Sequence, residues 1–290
     1  MSTETEDTAR ERTAGRSERE QTGRGGANAL ADVARYEARN RVPVTVVLSV
    51  LFSLFGTFYV WLGPEVVAGE QMQDLLDSLP PALSELFGFE SLESLGGLLA
   101  SEFYTFGWIV GLGGYVAYSA AGTVAGDLRD ERMDLLLAGP VARRSVLLGK
   151  YLALLVPILV VNVVVPVALY LGSVAVGDPL SAADLAVLHA LSVPYLLLWS
   201  AVGLLLGVVV RGGRTAGRLA LGLVFAGWIV GAVLSTTDYA WVGAVSPTRY
   251  FDPPAVLVDG SYDLAGAALL LVAAAALVGL SLVWFERSDL

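Results

Sequence analysis

Six long runs of apolar residues dominate this sequence, lying at 42–62, 103–124, 151–171, 185–210, 219–234 and 264–285. A helix needs about 20 apolar residues to cross a hydrocarbon core about 30 Å thick. Backbone groups in lipid must be paired within the segment, so spans of this kind are helical. The fifth run is short as written but extends over 215–237. Soluble helices keep a polar face, whereas 264–284 is apolar on every side. Only 16% of the 290 residues are charged, against about 25% in soluble domains. The expected fold is therefore all-α and integral to the membrane: a six-helix transmembrane bundle with an N-terminal interfacial helix and short extracellular helices.

Basic residues give the orientation, because loops rich in Arg and Lys stay in the cytoplasm. Arg35, Arg39 and Arg41 precede the first run. Arg129, Arg132, Arg143, Arg144 and Lys150 lie between the second and third, Arg211, Arg214 and Arg218 between the fourth and fifth, and Arg287 after the sixth. With six spans all of these share one side, and only Arg249 lies on the other. The loop at 63–102 holds eight acids and no base. A multi-pass cell-membrane protein with both termini cytoplasmic is expected. Residues 1–28 are rich in Glu, Arg, Thr, Ser and Gly and have no apolar core, unlike a signal peptide. They are expected to be a disordered cytoplasmic tail, leaving 29–290 as the membrane domain.

Several shorter segments carry structure of their own. Leu30, Val33 and Ala34 form the apolar face of an interfacial helix over 28–41. Short helices are expected at 71–79, 81–87 and 91–101, punctuated by Pro80, Pro81 and Gly88. The segment 236–263 mixes Trp241, Tyr250 and Phe251 with three prolines and is expected to lie in the membrane interface or to dip partly into the membrane. Gly-Trp-Ile-Val-Gly occurs at 107–111 and again at 227–231, a spacing that lets helices approach closely. The net charge of -10, with 17 arginines and one lysine, fits a salt-adapted, halophile-type proteome and says nothing of function. No basic stripe suited to nucleic acid exists outside the membrane-flanking loops. There is no cysteine, which excludes disulfide and thiol chemistry.

Ionisable residues inside spans usually mark function, and the six runs offer almost none. His189, the sole histidine, falls near the outer end of the fourth run, and Asn162 falls in the third. Both are expected to serve packing. No relay of Asp, Glu and His crosses the bilayer, which disfavours an ion-coupled secondary transporter. Gly149-Lys150 is followed by Tyr151 without the glycine-rich spacing of a phosphate loop. Neither a nucleophile elbow nor a zinc-binding helix is present, so no catalytic, metal or cofactor site is expected in this chain.

The segment 127–150 is the most informative. Residues 132–138 suit a short helix presenting Met133, Leu136 and Leu137. Asp127, Asp130, Glu131 and Asp134 form its charged rim, and Gly139-Pro140 ends it. A second helical run from Val141 carries Arg143 and Arg144 and merges into the third span. An amphipathic helix of this kind fits a partner's groove or rests on the lipid surface; the residues alone leave both open.

Glu131, Asp134, Leu135, Leu136, Leu137, Pro140, Val141, Arg143, Gly149 and Lys150 follow one another in an order that resembles the ABC-2 family of transporter permeases. The family's Gly-Thr is replaced by Arg132-Met133. Three further pieces are similar to that family: Ala34 to Glu37 with Arg41, Ser246-Pro247 followed by Arg249 to Pro253, and the ending from Phe285 to Leu290. The resemblance spans roughly 30–290. It implies a permease without its own hydrolytic site, paired with a separate cytoplasmic ABC ATPase that binds the ATP. It also implies a second permease copy, in a homodimer or a heterodimer, surrounded by membrane lipid. Glu131, Met133, Asp134, Leu136, Leu137, Pro140, Arg143 and Arg144 would form the ATPase-coupling loop of an exporter. A polytopic membrane enzyme and a nucleotide-independent transporter are the competing readings; activity without ATP would favour the first, transport by the chain alone the second.

Overall fold

The computed structural model describes residues 3–67, 94–129, 142–210, 212–235, 237 and 241–287, with side chains described from Leu30 onward except at 66–67, 124–129 and 235. Among these residues every regular element is helical. Six helices are long and apolar enough to cross a membrane: Leu30–Glu65, Leu95–Thr123, Arg143–Val176, Ala182–Val209, Gly213–Leu234 and Leu264–Arg287. The first belongs to α1 (Thr3–Val67). Residues 3–28, expected to be a disordered tail, are helical as backbone. Of the short helices expected after the first span, 71–79 and 81–87 lie outside the described residues.

The second span departs from expectation. Helix α2 starts at Leu95, not near 103, so most of the short helix expected at 91–101 is its first turns. Ser94 caps it by accepting from the Gly97 N–H at 3.0 Å, as N-cap serines do. The rod runs as α-helix over Leu95–Leu98, as π-helix over Leu99–Leu112 and again as α-helix over Gly113–Arg129. Fourteen π-helical residues far exceed the usual single-turn bulge. The wide winding carries Phe103, Tyr104 and Trp108, all buried. Phe103 and Trp108 meet Phe52 of α1 at centroid distances of 6.4 and 5.6 Å.

The third span is jointed. Helix α3 (Arg143–Ala153) ends at Leu154, and α4 (Leu155–Val176) continues from it. Pro157 explains the joint: it has no N–H for the Ala153 carbonyl, and its ring would clash there. Gly177, at φ 86°, ends α4 in the left-handed conformation that glycine adopts freely. Helix α5 (Ala182–Val209) is capped by Ser181 and sits centrally, packed by α2, α4, α6 (Gly213–Ser235) and α8 (Leu264–Arg287). Helix α1 lies along α3 and α4.

The closest helix crossing is α2 on α5. A Cβ added at Gly207 would lie 2.6 Å from the Ala121 carbonyl oxygen, and Gly203 is tighter still against Ala117. The repeated pentapeptide has another use. Gly107 faces the Phe55 ring and Gly227 faces Trp199, at 3.1 and 3.3 Å from an added Cβ. These glycines receive aromatic rings, while Gly203 and Gly207 receive backbone.

Candidate functional site

Three places gather polar side chains, one inside the bundle and one at each end. The interior site is built from residues on three helices: Tyr104 of α2, Asn162 of α4, and His189 and Ser192 of α5. Asn162 of α4 donates through Nδ2 to its own helix at the Ile158 carbonyl, 2.8 Å away, leaving Oδ1 to accept. His189 Nδ1 lies 3.0 Å from that oxygen, and Ser192 Oγ donates to it at 2.5 Å. The proton of His189 is thus assigned to Nδ1 by its partner. The bare Nε2 accepts from the Tyr104 hydroxyl at 2.9 Å. Both imidazole nitrogens are thereby partnered, and Trp108 packs on the ring edge-on at 4.7 Å. His189, Ser192 and Tyr104 are 2% exposed or less. Tyr195 of α5 also donates to the Ile109 carbonyl at 3.2 Å, tying α5 to the π-helical stretch.

Beside this hub a cavity of about 690 Å³ opens between α4 and α5, with Asn162 and His189 at its floor and Leu159, Val163, Tyr170 and Leu185 among its walls. Its size suits a small-molecule site, but its walls are almost wholly apolar. Among the described residues no group of three or more His, Cys, Asp or Glu could hold a metal ion.

At one end of the bundle the basic flanks converge. Arg41 of α1 is 8% exposed. Its guanidinium fork donates to Ser119 Oγ and Thr123 Oγ1 of α2, each at 2.8 Å. Lys150 of α3 is 2% exposed and its Nζ lies 2.6 Å from Glu37 Oε1. Arg144 pairs with Glu286 near the end of α8 through Nε–Oε1 and through Nη2–Oε2 at 2.7 Å. That last pair is exposed, where ion pairs contribute little.

At the opposite end the connection from α6 to α8 folds back onto the bundle. It holds two short 3₁₀ turns, Val242–Val245 and Pro247–Tyr250, and helix α7 (Pro253–Leu257). Ser246 and Asp252 cap the second turn and α7, each followed by proline at the first helical position, where proline is favoured. Ser246 Oγ also donates to the Gly227 carbonyl at 2.7 Å. Between the caps Phe251 is buried, stacked on Tyr195 at 5.4 Å. Asp252 Oδ1 makes its cap by accepting from the Ala255 N–H at 3.1 Å. Tyr262 donates to Asp184 at 2.5 Å, linking this segment to the start of α5.

Of the residues singled out from sequence, Glu131, Met133, Asp134, Leu136, Leu137 and Pro140 lie outside the described residues. Arg143 and Arg144 open α3. His189 and Asn162, read separately as packing residues, are partners in one network. Tyr104 and Ser192 were not singled out from sequence, and Glu37 was named only as part of the lead-in, without its pairing to Lys150. Burial and pairing across helices far apart in sequence leave no local signal, although the Gly203 and Gly207 spacing was visible.

The family profile described as ABC-2 family transporter protein matches residues 31–290. The chain belongs to the ABC-2 transporter family. This ABC-2 protein is accordingly a multi-pass membrane permease component of an ABC transporter, a class that associates with an ABC ATPase. The match takes in all six spans, the lead-in with Glu37 and Arg41, and the folded connection after α6. No individual curated protein matches this ABC-2 chain.

Proposed function

We propose that this ABC-2 protein is the membrane-spanning subunit of an exporter, with both termini cytoplasmic, working as one of two permease copies above a pair of ATPase subunits. The ATPase binds and hydrolyses ATP, and the 130–141 segment seats in it. Met133, Leu136 and Leu137 supply the apolar face of that contact and Glu131 and Asp134 belong to its charged rim, with Pro140, Arg143 and Arg144 completing the coupling loop. Closure of the ATPase pair moves this segment and reorients the bundle.

The observation that carries the reading is the convergence of Arg41, Arg144 and Lys150 at the end of the bundle that flanks 130–141. Basic residues gathered at one end mark a cytoplasmic face. Tagged protein isolated from its native membrane in mild detergent is expected to carry an ATPase with it. Leu136→Asp with Leu137→Asp is expected to lower the recovered ATPase at least tenfold without lowering the yield of permease. Equal recovery would remove the docking role from these leucines.

A further inference from the structure

One face of α1 grips both flanks of the segment 130–141. Val33, Glu37 and Arg41 follow at intervals of four, so they stand one above another on the helix. Gly149 of α3 faces the first of them: a Cβ added there would meet Val33 Cγ1 at 2.8 Å and the Ala34 backbone nitrogen at 3.1 Å. No side chain fits between α1 and α3 at this level. One residue on, Lys150 reaches Glu37 with 2.6 Å between Nζ and Oε1. One turn beyond Glu37, Arg41 holds Ser119 and Thr123 on successive turns of α2. Helix α2 leads into the segment and α3 leads out of it.

We infer that Glu37, Arg41 and Lys150 are positioning residues that make the lead-in of α1 the common anchor of both flanks, so that a pull on 130–141 displaces α1 together with α3. This inference rests on the docking role proposed above for that segment. The chemistry suits a transmitting joint. An apolar contact can slide, whereas an ion pair made by a buried lysine and a guanidinium fork fix direction and register. The joint at Leu154 separates α3 from α4, so α3 can follow α1 without bending the rest of its span.

The absence of cysteine allows spin labels to be placed directly, through Tyr36→Cys on exposed α1 and Arg214→Cys on α6, in full-length protein with its co-purified ATPase. The labelled parent is expected to change its label–label distance between the nucleotide-free state and the state trapped with ATP and vanadate. K150M and E37Q are expected to retain the ATPase but lose at least half of that change, and the exchanged pair E37K/K150E to restore most of it. R41K keeps the charge but loses the fork, and is expected to fall between. It decides the matter by the same readout if K150M does not assemble. A full distance change in K150M or R41K with the ATPase bound would overturn the inference, as would a parent whose distance does not respond to ATP and vanadate. A parent that brings down no ATPase would instead refute the docking role itself.

Discussion

His189 shows how context assigns a residue its role. From sequence it is a lone histidine in an apolar run; in the fold it accepts from Tyr104 and donates to Asn162, with no hydrogen-bonding nitrogen left over. Membrane interiors offer no water to replace such partners. Interhelical hydrogen bonds in lipid contribute about 0.6 kcal/mol on average and up to about 1.7 kcal/mol. Asn162→Leu removes the acceptor shared by His189 and Ser192 and is expected to destabilise the detergent-solubilised protein by about 1–3 kcal/mol. Ser200 is equally buried, but its hydroxyl donates to the Leu196 carbonyl of its own helix at 2.7 Å. Ser200→Ala should therefore leave the unfolding midpoint within error of the parent. A similar drop for both variants would show that the hub has no special weight.

Helix boundaries were legible where lipid dictates them and less so where side chains decide. The apolar runs marked all six spans, since a membrane-crossing helix has little freedom in length or composition. The start of α2 lies before the expected 103 because 91–101 reads as a separate short helix, whereas Ser94 caps the span itself and Gly96 meets the Leu257 carbonyl of α7. The small-residue signature was read at Gly107–Gly111 and passed over at Gly203–Gly207, where the helices come closest. That crossing sets an expectation for α5. Gly207→Val cannot be absorbed by side-chain motion, because the obstacle is the Ala121 backbone. It should force α2 and α5 apart and sharply reduce the yield of monodisperse protein in gel filtration. Gly222 and Gly279 have nothing within 4 Å of an added Cβ. Alanine at either position should be tolerated and favour the helix by up to about 1 kcal/mol, read as a small rise in the thermal midpoint.

Across the whole molecule, polarity divides the two ends. Arg41, Arg144 and Lys150 lie at one end, and Asp184, Asp252 and Tyr262 at the other. In the proposed topology the basic end is cytoplasmic, so a membrane-impermeant maleimide added to intact cells should label Trp241→Cys at once and Tyr36→Cys only after lysis. The reverse pattern would invert the proposed topology. The six-span frame and the sidedness of charge could be read from the chain alone. The hub, the Glu37–Lys150 pair and the winding of α2 could not, because each depends on which helices become neighbours. That winding sets how the bundle is phased. In an ordinary helix each residue turns the next by about 100°; fourteen looser residues turn by less. The rod can therefore show aromatic rings to α1 through one half and alanines to α5 through the other. Losing a single residue from that half would swing every later side chain of α2 round its axis, and the alanines would no longer meet the glycines across from them.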